Sequence, residues 1–419
     1  MKESAMNGLE GKRIVLGVTG SIAAYKMVTL ASMLRKAGAE VDTVLTESAA
    51  KLISPLSFQA VTGRGAYTDQ DLWEAEKHVL HIELGEENDA FLIAPATANT
   101  IAKLAHGLAD NLLTVAALAS RTPLFVAPAM DGGMYANPAT QANLEILRER
   151  GMTIIGPASG HLASGLAGKG RMVEPEELYG ALRLALAKKG PLQGQKVLVT
   201  AGGTQEPLDP VRVLSNRSSG KQGFALAQAA LDSGAEVTLI TGPSCLETPY
   251  GARRVDVNTA DEMLETVLEA IDRVDVLLMA AAVADFRPEA VAEEKIKTEK
   301  RPDVISLEDT PDILKAVAER DAEKLKVKIG FAAETESLLQ NATQKVEAKD
   351  LDMIVANDIT DPEAGFGVDT NRVTLIWRDG RVERLELMSK QEVANHVVNA
   401  VVSLLDQAEL DSTFDLRDG

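Results

Sequence analysis

Twice in this chain a short β-branched run stops at glycine and turns into a helical pattern. Gly11–Thr19 reads GKRIVLGVT, and Gly194–Thr200 reads GQKVLVT ahead of Ala201-Gly202-Gly203. Such runs mark buried parallel strands, because a strand covered on both faces has no polar side to alternate with. The likeness continues downstream. Ala37–Thr46 (AGAEVDTVLT) matches Ser233–Gly242 (SGAEVTLITG), each a helix end, a glycine C-cap signal and a second strand. Asp89–Asn99 (DAFLIAPATAN) matches Asp275–Asp285 (DVLLMAAAVAD). Three landmarks in one order predict an α/β chain with two doubly wound, Rossmann-like parallel-sheet domains. The common grammar of such folds accounts for the likeness without a duplication.

A chain of 419 residues also exceeds one ordinary core. Lys188–Gly194 (KKGPLQG) follows a helical pattern and has the Gly and Pro of a linker, so the domains are expected at 1–190 and 191–419. Aromatics are only 4%, leaving the packing to Ala, Val, Leu and Ile. No apolar run reaches the ~20 residues that a bilayer requires. Met1–Gly11 is polar, without a signal-peptide core, and Cys245 is the single cysteine. These features point to a reducing cytoplasm. The net charge of −19 disfavours nucleic acid or an anionic membrane as partner. Small phosphate ligands, which need only local N–H groups and a few cations, stay open. The polar end, Gln407–Gly419, is expected to fray.

In the first half, Gly17, Gly20 and Ser21 lie between a strand and a helix, where an anion can meet helix N–H groups. A purely structural tight turn fits equally well. Context favours the ligand: Thr46–Ser48 (TES), Ala94–Asn99 (APATAN) and Ala127–Met134 (APAMDGGM) each follow a strand, at the edge where α/β sheets bind ligands. His81 precedes the APATAN strand, and its neighbour His78 is assigned no role.

GVTGSIAAYK, HIEL, APATAN and PAM…M together resemble the flavin-dependent cysteine decarboxylases, over Gly11 to about Pro175. The resemblance implies a flavodoxin-like half with FMN held by Gly20, Ser21, Thr46, Ser48, Ala94, Thr97 and Asn99, and His81 as the base. The implied reaction converts phosphopantothenoylcysteine to 4′-phosphopantetheine. FMN takes a hydride from the CH2–SH group, the thiocarbonyl drains electrons as CO2 leaves, and the flavin returns the hydride. Two positions depart from the family. Asp131 replaces an asparagine that helps hold the substrate carboxylate, so a charge now faces a like charge. Ser164, in Gly160–Met172 (GHLASGLAGKGRM), replaces a cysteine that donates the last proton. A thiol titrates near ~8.5, and a hydroxyl is a far weaker acid.

In the second half, Arg212, Asn216, Arg217 and Lys221 gather cations in an otherwise acidic chain, in Thr200–Gly223 (TAGGTQEPLDPVRVLSNRSSGKQG). The Walker spacing is absent, and neither glycine turn has the GxGxxG run of a dehydrogenase. This segment, with AAAVADF, KIK, GFAAET and the Lys345–Asp358 stretch, resembles the ligase half of the bifunctional coenzyme A biosynthesis family, to about Leu405. The resemblance implies CTP-dependent ligation of 4′-phosphopantothenate to cysteine through an acyl-cytidylate, with Mg2+ on the triphosphate. Asn216 polarises the acyl group and Lys295 meets the phosphates. Arg212 and Ala280, Ala281 and Ala282 hold pantothenate. Asp285, Pro311, Asp312, Ile313, Leu314, Phe331, Lys345 and Lys349 complete the CTP site. The family also implies trimers of the first half, dimers of the second and a dodecamer of the whole chain. Two alternatives are an active ligase with an impaired decarboxylase half, and a flavin-binding regulatory module that holds a partner protein.

Overall fold

In the computed structural model the first β-branched run becomes strand β1 (Arg13–Val18), joined by β2 (Glu40–Leu45), β3 (Ala66–Tyr67), β4 (Ala90–Ala96), β5 (Leu124–Pro128) and β6 (Thr153–Ile154). The structure describes residues 8–74, 79–161, 165, 167–297, 303–320, 322–334, 338–358, 363–365 and 367–415. The six strands run in the order β3-β2-β1-β4-β5-β6, every pair parallel. This is the doubly wound arrangement, and without the two-residue edge strand β3 it is the flavodoxin order. All of β4 is buried, as befits a strand covered on both faces. Its successive residues Leu92 and Ile93 enter opposite cores. Leu16, Leu30, Leu34 and Phe58 pack with Leu92, and Ile101, Leu113 and Leu147 pack with Ile93. A hairpin, β7 (Ala158–His161) with β8 (Ala167–Arg171), follows. This unit closes at Leu186, and the second runs from Ala187.

The second unit opens with β9 (Lys196–Ala201) and the hairpin β10 (Gln205–Pro207) and β11 (Val213–Ser215). Strands β12 (Glu236–Thr241), β13 (Arg253–Asp256) and β14 (Val276–Met279) follow. A small pair, β15 (Phe286–Pro288) with β16 (Leu307–Asp309), precedes β17 (Val327–Glu334) and β18 (Met353–Asp358). Then come β19 (Thr370–Asn371), β20 (Val373–Trp377), β21 (Val382–Arg384) and β22 (Met388–Ser389). The main sheet reads β13-β12-β9-β14-β17-β18-β20-β21. Its first six strands repeat the doubly wound order in parallel. At the edge the sheet adds a pair, β20 and β21, that runs antiparallel. Among the described residues no helix separates β18 from β20, and without a crossover a neighbouring strand runs antiparallel.

The tail also differs from expectation. One helix spans Lys390–Asp415 and packs on the Lys221–Asp232 helix. Its buried Val393, Val397, Val401 and Leu405 recur at helical spacing and anchor it, so the helix continues through polar residues that read as a fraying end. Among the described residues no helix is long and apolar enough to cross a membrane.

Candidate functional site

The strand order reverses between β1 and β4, the switch point where an open α/β sheet leaves a crevice. Thr19, one residue beyond β1, is buried and bridges that point. Its hydroxyl donates to the Pro95 carbonyl at 2.6 Å and accepts from the Thr97 N–H at 3.1 Å. The β1 and β2 turns touch as well: a Cβ on Gly20 would lie 2.4 Å from the Ser48 Cβ. Only glycine allows that approach, so the two turns pack directly on each other. Ser21 holds the N-cap position of the Ile22–Tyr25 turn without a side-chain cap bond. Thr46 and Thr97 cap the Glu47–Ala50 and Ala98–His106 helices, accepting from Ala49 N–H and Thr100 N–H, both at 3.3 Å. Ala94 is inside β4, and Asn99 is exposed in the first turn of the following helix. Hydroxyls, an amide and close-approaching turns thus gather at one edge, a donor set that fits a phosphate-bearing cofactor.

Asp131 lies beyond β5 as the N-cap of the Gly132–Ala136 helix and accepts from the Gly133 N–H at 2.9 Å. Asn and Asp cap equally well. The departure at this position is therefore neutral for the fold and changes only the charge offered to a ligand. The β7–β8 hairpin presses on the same place, since the Met130 N–H donates to the Gly170 carbonyl at 3.0 Å. A Cβ on Gly170, at φ 151°, would lie 2.5 Å from the Met130 carbonyl oxygen. Just past the hairpin, Glu174 receives the Lys26 ammonium at 2.9 and 2.8 Å and also pairs with Arg171. Hydrogen bonding to Lys26 holds the Glu174 carboxyl below its ordinary value, against a smaller opposing effect of burial. Ser164 falls outside the described residues. His81 is half-buried on the Leu80–Glu86 helix, which packs on the Leu112–Ala119 helix. No hydrogen bond among the described residues joins His81 to the sheet edge.

In the second unit the reversal lies between β9 and β14, and the backbone zips it shut. Gly203 and Ala282 form a parallel bridge. The Ala281 N–H donates to the buried Thr200 hydroxyl at 3.1 Å and the Ala284 N–H to the buried Thr204 hydroxyl at 3.0 Å. Gly242 completes the junction: a Cβ there would lie 2.2 Å from the Gly203 carbonyl oxygen. Asn216, next to β11, donates through Nδ2 to the Ala282 and Val283 carbonyls at 3.2 and 3.1 Å. The Thr310 N–H donates to the Asp285 carbonyl at 3.1 Å, which brings the TPDIL turn to the same edge. From that turn, Asp312 caps the Ile313–Ala318 helix and pairs with Lys349 at 3.1 Å. Ile313 is buried in the core below, and Pro311 and Leu314 are half-buried. Phe331 lies on β17, and Lys345 is half-buried on the Leu338–Ala348 helix. Ala280, at the end of β14, is half-buried, and Lys295 is exposed.

Asn216 is thus bonded to the Ala282–Val283 backbone, Thr310 to Ala284 and Asp285 just beyond it, and Asp312, two residues on, to Lys349. Lys221 lies apart from these contacts, donating to Asp369 at 2.6 Å and to the Gly367 carbonyl. The sequence reading passed over Thr19, Thr200, Thr204 and Asp209, all buried polar side chains. Their signal was a Thr or Asp in a strand-end turn, and the partners that give it meaning lie far along the chain.

The description "DNA/pantothenate metabolism flavoprotein C-terminal domain" fits residues 192–405, and "Flavoprotein" fits residues 2–184. The coenzyme A biosynthesis bifunctional protein CoaBC of Bacillus subtilis (strain 168) is 42% identical over 402 residues, 95% of this chain and 98% of its own. The protein of that name from Haemophilus influenzae is 45% identical over 394 residues, 94% and 98%. A cysteine/cysteine sulfinic acid decarboxylase from an unknown prokaryotic organism is 45% identical over 359 residues, 84% and 100%. A crystal structure of the C-terminal domain of a CoaBC protein is 41% identical and covers 52% of this chain and 100% of that chain, at a TM-score of 0.45. With matches that span both halves, the chain belongs to the family of bifunctional coenzyme A biosynthesis proteins.

Proposed function

We propose that the second half, 191–419, joins 4′-phosphopantothenate to cysteine at the expense of CTP, and that the first half, 1–190, decarboxylates the product with FMN. The observation that carries the ligase reading is that Asn216 and the Thr310–Leu314 turn are both hydrogen-bonded to the Ala282–Asp285 segment at the second switch point, with Lys349 paired to Asp312 of that turn. In the first step a carboxylate oxygen of phosphopantothenate attacks the α-phosphorus of CTP and pyrophosphate leaves. In the second step the cysteine amine attacks the acyl carbon and CMP leaves. Both reactants are anions, so Lys295, Lys345 and Lys349 offset their repulsion. Asn216, whose Nδ2 rests on the Ala282 and Val283 carbonyls, exchanges one of those bonds for the acyl oxygen, while Arg212 and Ala280–Ala282 hold the pantothenate arm. Asp285, Phe331 and Pro311–Leu314 take the nucleoside and phosphates. Mg2+ enters with the triphosphate as part of the substrate. Among the described residues no three His, Cys, Asp or Glu side chains cluster as a resident metal site.

At the first edge Gly20, Ser21, Thr46, Ser48, Ala94, Thr97 and Asn99 hold FMN, which supplies hydride acceptance and return. His81 serves as the base, and Ser164 stands where the last proton is delivered. One observation favours a second reading of this half. Asp131 stands at the start of the Gly132–Ala136 helix where the family has an asparagine, and a carboxylate there opposes a substrate carboxylate. On that reading the first half completes its reaction slowly and releases enethiol.

The first half forms trimers and the second half dimers, as the family resemblance implies. The dodecamer these build is checked by light scattering. The lone Cys245, exposed, suits the reducing cytoplasm we assign.

Replacing Asn216 by Asp sets a carboxylate against two carbonyl oxygens, and Lys295→Gln removes the phosphate-facing charge. Each is expected to lower ligation by about 100-fold or more while leaving bound flavin unchanged. Wild-type ligation in either variant removes that residue's role.

A further inference from the structure

Asp209 has no role in the site described so far, yet it is the most tightly held carboxylate near it. Its side chain has no exposed surface. It accepts N–H bonds from Val211 and Arg212, both at 2.8 Å, which close a local turn. It also accepts from the Ile296 N–H at 3.1 Å, across 87 residues of sequence. The Arg212 guanidinium pairs with Asp209 at 3.1 Å and donates to the Ile296 carbonyl. The Ile296 residue is thus gripped at both backbone groups by one ion pair. A further bond, from the Ala292 N–H to the Leu208 carbonyl at 3.1 Å, fixes the approach to it. Residues 291–297 form no helix or strand, so this grip replaces the secondary structure that would otherwise hold Lys295 and Lys297. Burial raises the Asp209 carboxyl pKa, but the Val211, Ile296 and Arg212 N–H groups and the Arg212 charge outweigh it and leave the carboxyl below its ordinary value.

We infer that Asp209 is a positioning residue for ligation: with Arg212 it clamps Ile296 and so aims Lys295 at the phosphates of the nucleotide. The inference rests on the phosphate-facing role proposed above for Lys295. A buried carboxylate with an arginine costs desolvation unless fully bonded. Here every bond it makes serves the turn or the Ile296 backbone, which is the pattern of a part that fixes geometry.

The experiment uses the full chain with phosphopantothenate, CTP, cysteine and Mg2+, and follows pyrophosphate release at steady state. Asp209→Asn keeps size but presents an N–H to donors. It is expected to lower kcat by about tenfold to 100-fold, the cost of a misplaced catalytic group, and to raise the KM for phosphopantothenate as well, because Arg212 loses its ion-pair partner. Adding it to Lys295→Gln is expected to cost nothing further in kcat, because a residue acting through Lys295 has nothing left to aim. If Asp209→Asn folds poorly, Asp209→Ser keeps an acceptor for the local turn but cannot reach Ile296, and the same non-additivity is expected. The clamp is refuted by wild-type kcat in a folded Asp209 variant, or by an equal loss with and without Lys295→Gln. Wild-type kcat in Lys295→Gln itself refutes the reading beneath it, and the two failures are told apart by that single variant.

Discussion

Asp131 has a structural duty that either a carboxylate or an amide can perform. It caps the Gly132–Ala136 helix through the Gly133 N–H, and asparagine would do so as well. Asp131→Asn is therefore expected to leave the melting temperature nearly unchanged. At neutral pH it is expected to raise decarboxylation of phosphopantothenoylcysteine by about tenfold, roughly 1.4 kcal/mol of relieved repulsion. An unchanged rate would show that the charge at this position does not meet the substrate. Glu174 gives a pH prediction. Its folded pKa lies below the ordinary 4.5 because of Lys26, so its pairing stabilises fully above that value and fades as pH falls through the folded pKa. The stability gap between wild type and Glu174→Gln, read from urea midpoints, is expected at pH 7 and should close in stronger acid. A gap that widens in acid would reverse the sign of the pairing. Residue types at these places were legible in the sequence, but their duties were not. Neither the cap made by Asp131 nor the partner of Asp209, which lies 87 residues away, leaves a local trace.

Strands were the most legible elements, because β-branched runs and glycine turns are local signals. Both sheets carry the doubly wound order that those runs predicted. The finer bounds moved: Ala94–Ala96 belong to β4 itself, and Thr97 is the cap that follows. The antiparallel pair β20 and β21 was not legible, since direction depends on the path between strands and not on their composition. The helical run into the polar tail was not legible, because the buried valines that anchor that helix, Val393, Val397 and Val401, lie before Gln407. At the second switch point the elements meet through glycine. Gly242→Ala would drive a Cβ to 2.2 Å from the Gly203 carbonyl, and moving backbone to relieve it costs about 1–3 kcal/mol. That variant is expected to lose ligation and to keep its flavin, measured as pyrophosphate release against visible absorbance. Undisturbed ligation would show that the junction between β9 and β12 does not shape the site.

Across the whole chain, two units of related design meet different ligands at the same kind of edge. What distinguishes them is what crosses each switch point: the buried Thr19 hydroxyl, bonded to Pro95 and Thr97, in the first, and a backbone bridge with Asn216 upon it in the second. The net charge of −19 leaves nucleotide binding to the few cations set at the second edge. The ligase chemistry at that edge requires the phosphopantothenate carboxylate to attack the α-phosphorus of CTP directly. Phosphopantothenate labelled with oxygen-18 in its carboxylate, incubated with CTP, Mg2+, cysteine and the full chain, tests this by mass analysis of the nucleotide product. Direct attack places one labelled oxygen in CMP and none in pyrophosphate. Unlabelled CMP, or the label in orthophosphate beside CDP, would contradict it.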